Sequence, residues 1–258
     1  MSARVARAGR AVLGVAVTAG GWEAACRAGL VPAAYLPPPT VVVGQVARLL
    51  ATPSFRADAV STGLSWAIAV GGATMIGVAL GLLMGAVPVL RALLAPVVEV
   101  LRPLPSVALI PLAVVVLGSG SQIKITVAMF AATWPVLINT VHAVHAIDPL
   151  QVDTARIYRV PRHRVLLRLT LPAIAPAVAT GIRLSASIAV IVVVGTEFLA
   201  GGTIGLGQFA YLQGATVGRM DLVLATVLLV AVANYAVDTA LLGLQRRTMP
   251  WAEPQEAR

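Results

Sequence analysis

Charged side chains occupy only 11% of this 258-residue chain, and any chemistry must start where they gather. Five of the 19 Lys+Arg residues, Arg156, Arg159, Arg162, Arg164 and Arg168, crowd into Asp148–Pro172 beside Asp148 and Asp153. A basic island of this kind either anchors to anionic lipid headgroups or docks on a soluble partner. Glu197 and Arg183 are lone charges within apolar runs, and such charges are functional candidates by default. They stand 14 residues apart, ~21 Å along a helix, too far to pair directly. Arg183 is expected to snorkel to inner headgroups, or else to attract an anion inside a vestibule. Glu197 is expected either to serve a pathway or gate, or to sit at the interface facing water or Arg219. Asp238 should pair with Arg246, Arg247 or Arg183. His142 and His145 have a spacing that suits a metal but no third ligand, which favours a structural role. Asn139 and Gln122 are expected to hydrogen-bond between helices, and Trp22, Trp66, Trp134 and Trp251 to lie in headgroup belts.

No catalytic residue, metal site or cofactor emerges for this chain. There is no GxxxxGK[ST] phosphate cradle, no GxSxG elbow and no Cys/His cluster at metal spacing. Cys26 is the single cysteine, so an internal disulfide is excluded, and it reads as a small buried hydrophobe.

The elements that position these charges follow from composition. With 59% hydrophobic residues, the apolar surface must face lipid, and the fold class is an all-α polytopic membrane protein. Six spans are expected within a single domain covering 1–258, at about 11–30, 60–87, 96–117, 123–144, 173–199 and 221–244. The first follows Arg4, Arg7 and Arg10; it reads as a retained helix, with a signal peptide as the alternative. Pro37, Pro38 and Pro39 hold the next loop extended before a short interfacial helix at Thr40–Leu50. Ala59–Leu90 carries no charge, and Gly77, Gly81 and Gly85 align on one face, a pattern for close helix contact in lipid. Pro88 and Arg91 are expected in a short turn. Pro103, Pro105 and Pro111 should break or kink the third span, making Pro105 a candidate pathway residue with Asn139, Glu197 and Arg183. Glu99 and Arg102, three apart, could pair. The glycine-rich segment Gly201–Met220 is expected to be a re-entrant or surface helix.

Orientation follows from counting. Arg4, Arg7, Arg10, Arg91, Arg102, the five island arginines, Arg183, Arg246, Arg247 and Arg258 fall on one side, 14 against five for Arg27, Arg48, Arg56, Lys124 and Arg219. The basic side is the cytoplasmic side, so both termini are expected inside. The net charge of +9 therefore reflects topology rather than nucleic-acid binding.

Within the island, Asp148 is a good N-cap, Pro149 suits a first helical turn and Pro161 ends the helix. Asp153-Thr154-Ala155, three residues, Arg159, nine residues, then Leu169-Thr170-Leu171-Pro172 resembles the EAA-x3-G-x9-I-x-L-P signature of binding-protein-dependent ABC importer permeases. Asp153 and Thr154 depart from it, and Arg159 stands where the family has glycine, which suggests a different turn there or a weakened signature. LRPLPSVALIPLAVVVLGSGSQIK, TWPVLINTVHAVHAIDP, GLGQFAYLQGATVGRMDLVLATVLLV and Trp22-Glu23 with Pro37–Thr40 resemble the nitrate, sulfonate and taurine branch.

The resemblance implies a plasma-membrane permease that forms a homodimer, with 148–172 as its ATPase-coupling loop. Asp153, Thr154, Ala155 and Arg159 would contact the ATPase, supported by Arg156 and Arg162, with Leu171 and Pro172 closing the signature. ATP and Mg would be bound by separate ABC ATPase subunits, and an external solute-binding protein would deliver a small, anionic solute. Thiamine-precursor permeases look similar and stay open as the alternative. A membrane enzyme would need convergent acids or histidines at one depth, and an ion-coupled secondary transporter would need paired midplane acids and internal repeats; neither pattern is visible.

Overall fold

Long apolar runs bounded by prolines set the helix ends. The computed structural model describes residues 2–201 and 204–252, apart from the side chains of 2–8, 11 and 12; Arg258 and the side chains of Arg4 and Arg7 therefore lie outside the described residues. All regular structure among them is helical: α1 Ser2–Arg27, α2 Pro39–Ala51, α3 Pro53–Ala86, α4 Pro88–Leu101, α5 Ile110–Leu117, α6 Ser121–His145, α7 Pro149–Ile157, α8 Arg162–Val165, α9 Leu171–Ala200, α10 Leu206–Tyr211 and α11 Met220–Thr248. Proline occupies the first turn of α2, α3, α4 and α7, where its missing N–H leaves no gap.

Four helices are long and apolar enough to cross a bilayer: α3, α6, α11 and the continuous Arg162–Ala200. A fifth is possible if α4 and Ser106–Leu117 are one broken span. Helix α1, with Glu23 and Arg27 in its last turns, is not among the four.

The core is a three-helix stack of α3, α6 and α9. Gly77, Gly81 and Gly85 of α3 face Val136, Thr140 and Val144 of α6, so the two helices run parallel in matching four-residue steps. A Cβ added at these glycines would stand 2.8 Å from Val136 Cβ, 2.5 Å from Thr140 Cβ and 2.7 Å from Val144 Cβ. Only a missing side chain allows this approach, so the expected close-packing face is real. Helix α9 runs antiparallel to α6, with Gly181 against Pro135 and the Ser185 hydroxyl donating to the Ala132 carbonyl. Ala69, Ile110, Val127, Ala128 and Val193 fill the space between these helices.

Several expectations need correction. Residues 88–91 are the first turn of α4, not a turn between spans, because Pro88 has a φ already suited to a helix start. The break expected in the third span, by contrast, is present: the chain leaves helix at Arg102–Pro105 and bends by 86°. Pro103 and Pro105 have no N–H to offer there, so the helical ladder of α4 does not continue past Arg102, which is itself still helical in φ and ψ. Glu99 and Arg102 form no ion pair among the described residues.

The second half of the basic island is helical rather than loop. Pro161 starts α8, and a wide π turn at Leu166–Thr170 joins it to α9. In that turn the Leu171 N–H reaches back five residues to the Leu166 carbonyl. Pro172 has no N–H to offer the Arg168 carbonyl and crowds it, so the turn widens there.

Trp66 is not a belt residue: it packs in the core, and its Nε1 donates to the Ala186 carbonyl at 2.9 Å. Asn139 donates to Pro135 of its own helix at 2.8 Å rather than across helices, and Gln122 is exposed.

Candidate functional site

Two polar constellations stand out, one at each end of the α3–α6–α9 stack. At the first end, α6 leads into α7. The Asp148 carboxylate caps α7 by accepting from the Leu150 N–H at 2.9 Å, and Asp153 holds Arg156 at 2.9 Å. The helix closes with the Val160 N–H donating to the Ala155 carbonyl and the Arg159 N–H to the Arg156 carbonyl, both at 2.9 Å. This is a Schellman cap, which requires a left-handed residue at its turn.

Arg159 is that residue, with φ of +51°, the only positive φ at a non-glycine among the described residues. The expectation of a different turn is therefore wrong. The turn that glycine would favour is made by arginine, whose Cβ crowds the neighbouring carbonyl at a cost of roughly 1–2 kcal/mol.

Helix α7 has two unlike faces. Val152, Arg156 and Arg159, at helical spacing, look into a groove of 1210 Å³ against the last turns of α3. Leu150, Ile157 and Tyr158 point away from it and are 70%, 78% and 78% exposed. Sequence reasoning missed these three, although three large apolar side chains in an otherwise polar island were the available signal.

Of the signature residues, Asp153, Thr154, Arg156, Arg159 and Arg162 are exposed and gathered in and just after α7, with Ala155 half-buried among them. Leu171 and Pro172 are not brought to that patch. They sit nine and ten residues along a continuous helix from Arg162, ~14–15 Å away.

The second constellation was missed at its centre. Glu197 of α9 is wholly buried, faces neither water nor Arg219, and lies 2.6 Å from Lys124 of α6, also wholly buried. Lys124 Nζ further donates to Ser61 Oγ at 3.0 Å and to the Ile204 carbonyl at 2.7 Å, so all three of its donors are used. Glu197 also accepts from the Thr62 hydroxyl at 2.9 Å and the Gly207 N–H at 3.0 Å, while Thr62 Oγ1 takes the Leu206 N–H.

This knot ties 204–207 to α3, α6 and α9. A Cβ at Gly205 would collide with the Glu197 carboxylate, and one at Gly207 with the Val194 carbonyl. Leu206, Gly207 and Ala210 are buried, so the segment is not a surface helix. The signal for Lys124 was its place in the first turn of α6, level with the end of α9 that carries Glu197. Arg219 instead forks onto Asp221 at 2.9 and 2.7 Å.

The remaining pathway candidates do not converge. Arg183 is bidentate with Asp238, at 3.0 Å through both nitrogens, fulfilling one of the three pairings open to Asp238. Pro105 lies at the exposed α4–α5 elbow, and Asn139 packs beside Gly181. His145 contacts Arg91 at 3.0 Å, and no group of three potential metal ligands occurs among the described residues.

Comparison with known proteins places this geometry. The family described as binding-protein-dependent transport system inner membrane component matches residues 59–250. The taurine transport system permease protein TauC of Escherichia coli is 28% identical over 235 residues, 89% of this chain and 85% of that one. The nitrate import permease protein NrtB of Leptolyngbya laminosa is 30% identical over 200 residues, 74% of this chain and 67% of that one. Among solved structures, a chain of the MetNI methionine ABC transporter in an inward-facing form superposes with a TM-score of 0.63 at 18% identity. That match covers 72% of this chain and 92% of the other, and it shows a shared fold.

Proposed function

The chain belongs to the binding-protein-dependent transport system inner membrane components, and from that premise we propose how this permease is built and driven. Six spans, with α1 as the first and the bent α4–α5 pair as the third, leave both termini and α7 in the cytoplasm. Two copies form the passage, and two ABC ATPase subunits that bind ATP and Mg drive it. An extracytoplasmic binding protein delivers a small anionic solute of the taurine, sulfonate or nitrate type; two of the relatives are named for taurine and nitrate. This chain is a transport subunit, with hydrolysis in the separate subunit.

The observation that carries the coupling role is α7 itself. It is a short, rigidly capped helix with Leu150, Ile157 and Tyr158 bare on one face, Asp153 and Thr154 beside them, and Arg156 and Arg159 on the groove side. Exposed aromatic and aliphatic anchors ringed by charge are what a partner's groove takes up. Closure of the ATPases on ATP then moves α7 as a lever, and α9, continuous with Arg162, carries the motion toward the knot at Glu197.

Charge reversal at Asp153 and Arg159 tests the reading: ATPase assembly and ATP-dependent uptake should both fall. Normal levels of both would overturn it.

A further inference from the structure

The groove behind α7 is not used by the coupling face. Its wall on α3 runs from Ala79 to Ala86, ~10 Å along the helix axis, continues onto Val87 just past the helix, and is wholly apolar. Leu83 and Val87 on that wall are 48% and 42% exposed, and Val144 of α6 and Val152 of α7 continue it. Arg156, Arg159 and Arg162 line the other side, and among the described residues no Asp or Glu lines it.

Arg156 is engaged by Asp153. Arg159 and Arg162 make no ion pair among the described residues. Because α7 follows directly from the end of α6 that packs on Gly85, these cations lie beside the end of α3, which the proposed inner-face placement of α7 puts at the membrane surface. An apolar slot capped by cations matches an acyl chain joined to an anionic headgroup, and basic pockets between helices on the cytoplasmic side take such lipids.

We propose that this groove is a site for an anionic phospholipid, its phosphate on Arg159 and Arg162 and its acyl chain along Leu83, Val87 and Val144. The lipid would brace α7 from behind while its outer face engages the ATPase. The proposal rests on the inner-face placement of α7 given above, but not on ATPase docking.

The test uses the full chain in phosphatidylcholine nanodiscs with or without phosphatidylglycerol, and native mass spectrometry to count retained phosphatidylglycerol after release. Wild type should retain phosphatidylglycerol over phosphatidylcholine. The double variant Arg159→Gln/Arg162→Gln should lose that preference by about 30-fold, from two surface cations. Leu83→Trp, which fills the slot and keeps every charge, should lose it too. Arg164→Gln/Arg168→Gln, island cations outside the groove, should keep it.

Equal loss in both arginine doubles would mean a diffuse basic surface and overturn the site. Displacement by millimolar inorganic phosphate alone would mean a free-anion site. Cross-linking of Leu83→Cys to a second copy or to the ATPase in native membranes would mean that protein fills the groove. Retention is read without ATPase, so its failure leaves the coupling role standing, and coupling lost on changing Ile157 or Tyr158, which lie outside the groove, leaves the lipid site standing.

Discussion

The Lys124 ammonium lies 2.6 Å from a Glu197 carboxylate oxygen, and neither side chain has any solvent exposure. Removing one partner strands the other charge in an apolar interior, which costs ~3–5 kcal/mol. Glu197→Gln and Lys124→Met should each lower the thermal unfolding temperature of the purified chain sharply. The double variant should recover much of the loss, because no charge is then left alone. Simple additivity of the two losses would show that the pair is not the unit.

The α3–α6 seam predicts a contrast between two glycines on one helix. Gly81→Ala places a Cβ against Thr140 and should cost ~1–3 kcal/mol by overpacking. Gly71→Ala meets nothing within 4 Å and should be neutral or slightly stabilising. Side-by-side thermal melts decide it, and equal tolerance at the two positions would contradict the seam.

Arg159 offers a stabilising change. Arg159→Gly relieves the left-handed strain and should raise the stability of the α7 turn by ~1 kcal/mol, read as slower protease cleavage within 156–162. Arg159→Val, branched at Cβ in the same conformation, should speed cleavage instead. No difference between the two would mean that the turn is not held left-handed in solution.

The bare face of α7 should matter most for assembly. Ile157→Glu or Tyr158→Ala should weaken co-purification of the ATPase by ~2 kcal/mol or more, while leaving the melting of the isolated chain within ~0.5 kcal/mol. Loss of folding in the isolated chain would instead assign these side chains to internal packing.

Some of this was legible before any coordinates. The charge-free runs around α3 and α6 mark membrane helices, the glycine triplet marks its own seam, and Asp148, Pro149 and Pro161 bracket α7, because each is a local rule. What escaped was set by partners distant in sequence. Lys124 reads as an outer-side cation at the start of a span until α9 and Ile204 close around it, 73 and 80 residues away. Arg162–Thr170 reads as polar loop because charge density hides helical continuity, and the π turn before Pro172 depends on backbone geometry that composition does not encode. Arg159 shows the converse: it argues for a different turn, yet the left-handed turn forms on a residue poorly suited to it, since α7 and α8 dictate the backbone on either side.

The buried pair also sets an order on biogenesis. Lys124 leaves the ribosome 73 residues ahead of Glu197, which at ordinary elongation rates is ~4–15 s. Through that interval α6 carries an unmatched cation at its end, and only the arrival of α9 neutralises it. The nascent chain therefore cannot settle its first helices independently; its middle stays provisional until that carboxylate comes into place.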